Sequence, residues 1–418
     1  MGKLRLSVKE RMRAEVMSKV SREEMTLRKA ADLLGISYRQ VLRVHVRYVS
    51  EGNSGLAHGL RGRESNRKFE EGRRERVLEL YRGKYGDFGP RLAAEYLRKA
   101  DGEDLSEETL RRWLIAEGLW APRRKGSGHR KWRERKAHFG EMVQMDGSLH
   151  DWFEGRRSKA SLMVMIDDAT NRTHAQFYEE ETTAAAMLVF WAYVDDYGLP
   201  RSLYVDRDTI YKTTRDSTVD EALSSKTPLT QFGRAMQELG VELILAHSPQ
   251  AKGRVERRHA VFQDRLVKGM RLKKISTLEG ANKYLDAEFL GELNERFTVP
   301  AREKADVHRC VGRGVKLAHV LSYREERVVQ NDWTVSWCNR HFQLAEKHHK
   351  LSLAKKRIVV SELLDGTIRL TYGNRELTWV ELTERPSRKR PRPAAPKASG
   401  GQPHKPAANH AWRQPFKR

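Results

Sequence analysis

Apolar positions along this chain recur first at helical and then at strand spacing, and the change of period divides it. From Thr26 to Tyr48, Ala30, Ala31, Leu33 and Leu34 make a short apolar face, Gly35 turns the chain, and Ser37 stands where a second helix needs its N-cap. That second helix carries Val41, Leu42, Val44 and Val46 beside Arg39, Arg43 and Arg47. Two short helices about a glycine, the second basic, predict a helix-turn-helix. An ordinary helical hairpin has the same pattern; the basic second helix favours DNA binding. A similar pair follows: LAAEYLRKA after Phe88-Gly89-Pro90, then LSEETLRRWLIAEGLW, with Ser106 as cap and Arg111 and Arg112 on the recognition side. Trp113, Leu114 and Trp120 read as core rather than base-stacking residues.

The period then shortens. Met142 to Met145, Ser161 to Thr170 and His174 to Glu180 read as three strands, the first closed by Asp146. Thr182 to Tyr197 is a helix with a broad apolar face, stopped at Gly198. A short strand closed by Asp206, a helix near Leu229 to Leu239, the strand VELILA and a basic helix bearing Glu256 complete an α/β order with a mixed sheet. Leu278 to Phe297 is helical again. Beyond it, RVVQ, WTVSW, FQL, RIVVSEL, TIRLTY and ELTWVEL are short strands separated by Asn-Asp, Asp-Gly and Gly-Asn turns, the spacing of a small antiparallel barrel. The chain is thus a multidomain α/β protein. Residues 1–65 and 66–122 are two helix-turn-helix domains, 123–138 a linker and 139–275 the α/β core; 276–324 is a helical connector, 325–384 the barrel and 385–418 a tail.

Charge adds a partner to this picture. Lys and Arg outnumber Asp and Glu by 80 to 56 over 418 residues, a net +24, which attracts a polyanion. Between Glu141 and Gln250 the balance reverses, with 10 basic residues against 18 acidic ones, so the basic surplus lies wholly outside that window. An acidic island in a basic chain suggests a carboxylate site flanked by nucleic-acid-binding arms. The linker Arg123 to Lys136 holds eight basic residues and one acid; the tail holds ten basic residues, none acidic, and seven of the thirteen prolines, a composition expected to be disordered and able to grip DNA non-specifically. Two cysteines, Cys310 and Cys338, exclude a disulfide framework and paired-cysteine zinc fingers. No apolar run reaches the ~18–20 residues of a membrane span, and the amino terminus lacks the apolar stretch of a signal peptide. A soluble, cytoplasmic protein is expected.

Asp146 and Asp206 each close an apolar strand, where α/β active sites usually lie, and Glu256 starts the helix after the last strand. Fifty-nine residues separate the first two and 49 the second and third. Three gathered carboxylates repel one another unless a cation neutralises them, and hard oxygen ligands suit Mg²⁺ or Mn²⁺. Two such ions can serve the attacking and leaving oxygens of an in-line phosphoryl transfer. Each acid has an ordinary alternative: Glu256 as a surface ion-pair partner, a strand-end Asp as a turn residue. Asp167 and Asp168 precede the turn-like Ala-Thr-Asn and read as structural; Asp208 replaces Asp206 if that strand runs longer.

The ordered set MDG at Asp146, YVDRDTIY at Asp206 and SPQAKGRVERRH at Glu256 resembles the DDE transposase and integrase superfamily, nearest to bacterial insertion-sequence transposases of the ISNCY type. The third motif is the most specific, with Ser248, Pro249, Gly253, Glu256 and Arg257 in family order; NERFTVPARE after the core adds to it. The family's second proline after Pro249 is absent, and the long second gap implies an insertion around Thr213 to Thr227. The resemblance implies an RNase H-like core in which Asp146, Asp206 and Glu256 bind two divalent ions, cut a strand at each transposon end and pass the 3′-hydroxyl to target DNA without a covalent protein intermediate. It also implies double-stranded DNA as partner, at least a dimer because an element has two ends, and a nucleoid-associated place in a bacterial cell. Lys252, Arg254, Arg257, Arg258, Arg265 and Lys268 are candidate phosphate contacts beside Arg39, Arg43, Arg47, Arg111 and Arg112. Two other readings remain: a DNA-binding repressor on an inactive core, and a structure-selective nuclease of the same fold.

Overall fold

Capping side chains decide where the first helices begin. A computed structural model describes residues 6–57, 69–70, 72–122, 134–213, 215, 228–246, 253–383 and 407. These fall into two units, Met1–Arg124 and Lys125–Arg418. In the first, α1 (Val8–Ser21) opens with a capping box between Ser7 and Glu10, and α2 (Leu27–Leu34) opens on Thr26. Gly35 ends α2 in the left-handed region at φ 62°, where glycine meets no steric penalty, and Ser37 caps α3 (Tyr38–Glu51). Val16, Met17, Ala30, Ala31, Val41, Val44 and Leu56 form the core of this helix-turn-helix. The second triplet is α4 (Arg73–Lys84), α5 (Pro90–Asp101) and α6 (Glu107–Ala116), the last capped by Ser106. Tyr81, Phe88, Leu97, Leu110 and Leu114 are buried within it, while Trp113 is half-buried, edge-on to Phe69.

The second unit is built on a five-stranded sheet of order β3-β2-β1-β4-β5. Its strands are β1 (Val143–His150), β2 (Ala160–Asp167), β3 (Thr173–Tyr178), β4 (Ser202–Val205) and β5 (Glu242–Leu245). The first three run antiparallel as a meander; β4 is parallel to β1, and β5 to β4. This is the RNase H-like mixed order expected. Strand alternation sorts the core into two layers. Val143, Met145, Met163 and Met165 face α7 (Thr183–Tyr197) and α8 (Gln231–Glu238), whereas Leu162, Val164 and Ile166 face α9 (Gly253–Leu272). Every residue of β2 is buried, as a strand covered on both faces should be. One boundary differs from expectation. β1 does not stop at Asp146 but continues to His150, because Gly147 to His150 pair with the first half of β2.

The connector is helical through α10 (Leu278–Tyr284), a π-helical turn at Leu285–Phe289 and α11 (Leu290–Phe297), and after that only over a short turn near its end. Two asparagines on these helices close the open edge of β3. Asn282 Oδ1 accepts from the Phe177 N–H at 2.7 Å and its Nδ2 donates to Phe177 O at 3.1 Å; Asn294 makes the same pair with Thr173, both at 2.8 Å. An edge strand paired in this way cannot template another chain. Asn294→Ala or Asn282→Ala should therefore cost about 1–3 kcal/mol by leaving backbone groups unsatisfied. Hydrogen exchange at the Thr173 or Phe177 amide should accelerate accordingly; unchanged protection would refute the assignment. The chain after Phe297 runs back under the sheet, bonding Thr170, Ala137, Phe139 and Leu199 in turn, and His308 fills the space above Gly140.

The expected barrel is two small sheets over one core. After α12 (Leu317–Val320) come β6 (Ser322–Val328), β9 (Arg357–Leu363), β10 (Ile368–Tyr372) and β11 (Arg375–Leu377), in the order β11-β10-β9-β6. β7 (Thr334–Trp337), β8 (Arg340–Leu344) and β12 (Trp379–Leu382) make the other, in the order β12-β8-β7. ELTWVEL is not one strand: Leu377 belongs to the first sheet and Trp379 to the second, so the chain changes sheets at Thr378 and, among the described residues, no ladder closes the circle. Among the described residues no helix is long and apolar enough to cross a membrane. Most of the tail, part of the linker and most of the expected insertion lie outside the described residues.

Candidate active site and DNA-contacting residues

The parallel pairing of β1 and β4 matches Val143 with Leu203 and Gln144 with Tyr204. Carried two residues further, past the end of the ladder, that register sets Asp146 opposite Asp206. Asp206 is the first residue after β4, and its Oδ1 accepts from the Asp208 N–H at 3.1 Å. Asp208 in turn accepts from the Ile210 N–H at 3.0 Å and the Thr209 hydroxyl at 3.2 Å, the work of a turn residue. The strand does not run on to Asp208. On the other side, α9 lies across the sheet through Val255, Phe262, Leu266 and Met270. His259 on this helix brings Nε2 to 3.4 Å from Asp146 Oδ2. Glu256 is three residues earlier, hence on the same helix face, and is exposed. Its place in the first turn suits a carboxylate, because the helix N-terminus carries partial positive charge. Among the described residues, no three His, Cys, Asp or Glu side chains are arranged to hold a metal ion as they stand.

Asp167 and Asp168 are structural, as their turn-like setting implied. Asp167 accepts from Thr170 N–H and Oγ1, both at 2.7 Å, and from Gly140 N–H at 3.0 Å; burial raises its pKa. Asp168 is fully buried and accepts from Gln144 Nε2 at 2.7 Å and Lys136 N–H at 2.8 Å.

The basic candidates divide into groups. Arg39, Arg43 and Arg47 are exposed on successive turns of α3, with no ion-pair partner among the described residues. Arg111 and Arg112 both bond Glu108, Arg111 through Nε at 2.7 Å and Nη2 at 2.8 Å, Arg112 through Nε at 2.9 Å. These bonds hold the exposed Glu108 carboxyl at about 2. Arg257 is exposed on α9 and Arg265 is half-buried against Phe297, whereas Lys252, Ser248 and Pro249 lie outside the described residues. Lys268 is paired with Asp264. Two candidates are corrected. Arg254 is paired with buried Asp168, and Arg258 is itself buried, donating to Asn171 O at 3.2 Å, with its pKa lowered to about 10 by desolvation. A guanidinium enclosed in this way is engaged within the fold, not offered to phosphate.

Three residues near the acids were not singled out by sequence reasoning: Glu181, and Tyr211 and His259, which close the second and third motifs. The spacing of His259 from Val255 and Phe262, i+4 and i−3 on the buried stripe, was a readable signal of inward aim.

A family profile described as a winged helix-turn-helix matches residues 13–75. The chain is 34% identical, over 91% of its own length and 82% of the relative's, to a protein of Sinorhizobium fredii described as putative transposase y4bF. It is 27% identical to the transposase for insertion sequence IS1202 of Streptococcus pneumoniae, over 88% of this chain and 85% of that one. The catalytic core domain of BIV integrase superposes at a TM-score of 0.25 and 20% identity, over 36% of this chain and 85% of that one, too loosely to bear on the site. With the RNase H-like sheet, the helix-turn-helix units and this depth of likeness across nearly the whole chain, the protein belongs to the insertion-sequence transposases.

Proposed function

We propose that the chain binds the ends of its insertion sequence as double-stranded DNA, cleaves strands there and joins the 3′-hydroxyl ends to target DNA, with Asp146, Asp206 and Glu256 holding divalent ions. The observation that supports this reading is the register of β1 against β4, which, carried two residues on, runs from Asp146 to Asp206. A donor set of carboxylate oxygens is hard and fits Mg²⁺ or Mn²⁺ rather than a softer metal. Two bound ions would supply neutralisation of the attacking and leaving oxygens in an in-line displacement.

The remaining tasks fall to the chain itself. His259 steadies Asp146 from the helix side, and the apolar stripe of α9 fixes the helix that carries Glu256, since precise sites need rigid elements. Arg257 and Arg265, with Lys252 just before the helix in sequence, hold phosphates beside the acids. Arg39, Arg43 and Arg47 read or grip the element's end, and Arg111 and Arg112 extend the contact after release from Glu108. An element has two ends, so the working form contains at least two protomers.

The test is a supercoiled plasmid bearing cognate ends, incubated with purified protein and Mg²⁺, its products sequenced. Cleavage at the ends with joining to new sites is expected, from an end-bound complex whose mass by light scattering is two protomers or more. Binding without cleavage would instead make the chain a repressor; cleavage without joining of a pre-cut end, a nuclease.

A further inference from the structure

Two groups beside the proposed acids have no part in that reading. Glu181 lies between β3 and α7, just ahead of the capping Thr182. Its carboxylate rests against Gly147, the residue after Asp146: a Cβ there would stand 2.2 Å from Glu181 Oε2 and 2.3 Å from its Cδ. Any larger residue there would push the Glu181 carboxylate aside. Tyr211 is the second group. It is 4% exposed, edge-on to Phe232 at 5.4 Å between ring centroids, and its hydroxyl has no hydrogen-bond partner among the described residues. A buried polar group left unsatisfied costs about 1–3 kcal/mol, and such a group in a native chain calls for an explanation, an ion among them. Burial and then the charges of Glu181, Asp206, Asp146 and Asp208, in that order, hold this hydroxyl well above the usual tyrosine range. One buried donor without an acceptor therefore stands within the field of four carboxylates, two of them the proposed ligands.

We propose that Glu181 is a fourth carboxylate of the divalent-cation site, and that the Tyr211 hydroxyl orients it by donating to a Glu181 oxygen when a cation draws the acids together. The inference rests on Asp146 and Asp206 being ligands. Ligating carboxylates are themselves held by outer hydrogen bonds, which tune affinity. The open place at Gly147, on the α7 face of β1, lets the side chain just ahead of α7 lie against the strand next to Asp146 without displacing it. Without the cation the same arrangement is unfavourable twice over, through charge repulsion and an unsatisfied hydroxyl.

That double cost gives the test its sign. The full chain, without DNA, is titrated with Mn²⁺, with free ion followed by electron paramagnetic resonance, and melted with and without metal. Glu181→Gln and Tyr211→Phe should each weaken Mn²⁺ binding about tenfold and yet raise the metal-free melting temperature. Purely structural roles predict the reverse on melting, and a lowered metal-free melting temperature in both variants overturns the inference. So does wild-type Mn²⁺ affinity in both while Asp146→Asn has lost it, an outcome that leaves the reading of Asp146 intact. Wild-type affinity in Asp146→Asn, or no Mn²⁺ binding by the unaltered chain, overturns that reading and the inference with it.

Discussion

Asp146→Asn, Asp206→Asn and Glu256→Gln should each abolish strand cleavage and joining, by about 10³-fold or more, while end binding stays within a few-fold of wild type. A loss of 10³ corresponds to about 4 kcal/mol of transition-state stabilisation, the scale expected when one anionic ligand of a two-ion site becomes neutral. The amides keep size and shape, so the variants test charge rather than packing. Asp146 is the sternest case, because it sits mid-strand opposite Val164 and touches His259; its amide can keep that contact while losing the charge. Asp208→Asn serves as the internal control: its carboxylate caps a turn, and its loss should leave cleavage largely intact. Plasmid cleavage and gel-shift binding measured on the same preparations separate the two effects. Wild-type cleavage by any of the three variants would remove that acid from the site; loss of binding alongside cleavage would point to a damaged fold.

Features set by neighbouring residues were legible in the sequence, and those set by distant partners were not. The helix starts at Ser37, Ser106 and Thr182 and the stop at Gly198 rest on one side chain and the next turn of backbone, so composition alone located them. The buried face of β2 was equally plain, because eight residues enclosed on both sides leave an apolar run. The end of β1 was not. Gly147, Ser148 and His150 do not look like strand, and only their pairing with β2 keeps them extended. The closure of β3 by Asn282 and Asn294 joins residues 105 and 121 positions apart, a relation no local pattern contains. The sheet change at Thr378 was hidden similarly, since ELTWVEL alternates as one strand whichever sheet its halves join.

At the proposed site, motif order singled out Asp146, Asp206 and Glu256, but the supporting groups needed geometry. Glu181 is legible only once Gly147 is seen to make room for it, and Tyr211 only once its hydroxyl is found buried. Arg258 is instructive in the opposite direction. It follows Val255 by three residues and precedes Phe262 by four, so helical periodicity already set it on the buried stripe. Counting it as one more cation in a basic helix ignored its direction. Arg257, one position earlier, points out.

Replacing Arg39, Arg43 and Arg47 together by alanine should weaken binding to the element's ends by roughly 10²-fold or more near 0.1 M salt. The three side chains stand on successive turns of one exposed helix face, i, i+4 and i+8, the geometry of a helix laid in a groove. None is neutralised by an acid among the described residues, so each arrives with its full charge. If all three meet phosphates, the slope of log affinity against log salt should flatten by about 0.9 for each. If one reads a base edge instead, its single replacement should relax sequence preference at one position and leave the slope almost unchanged. Arg111→Ala and Arg112→Ala should do less, because those guanidinium groups must first leave Glu108. The buried valines of the same helix, Val41 and Val44, face the domain core, so alanine at the arginines does not touch the packing. Circular dichroism should confirm an unchanged fold. A triple variant with wild-type affinity and wild-type salt slope would show that α3 is not the helix that meets DNA.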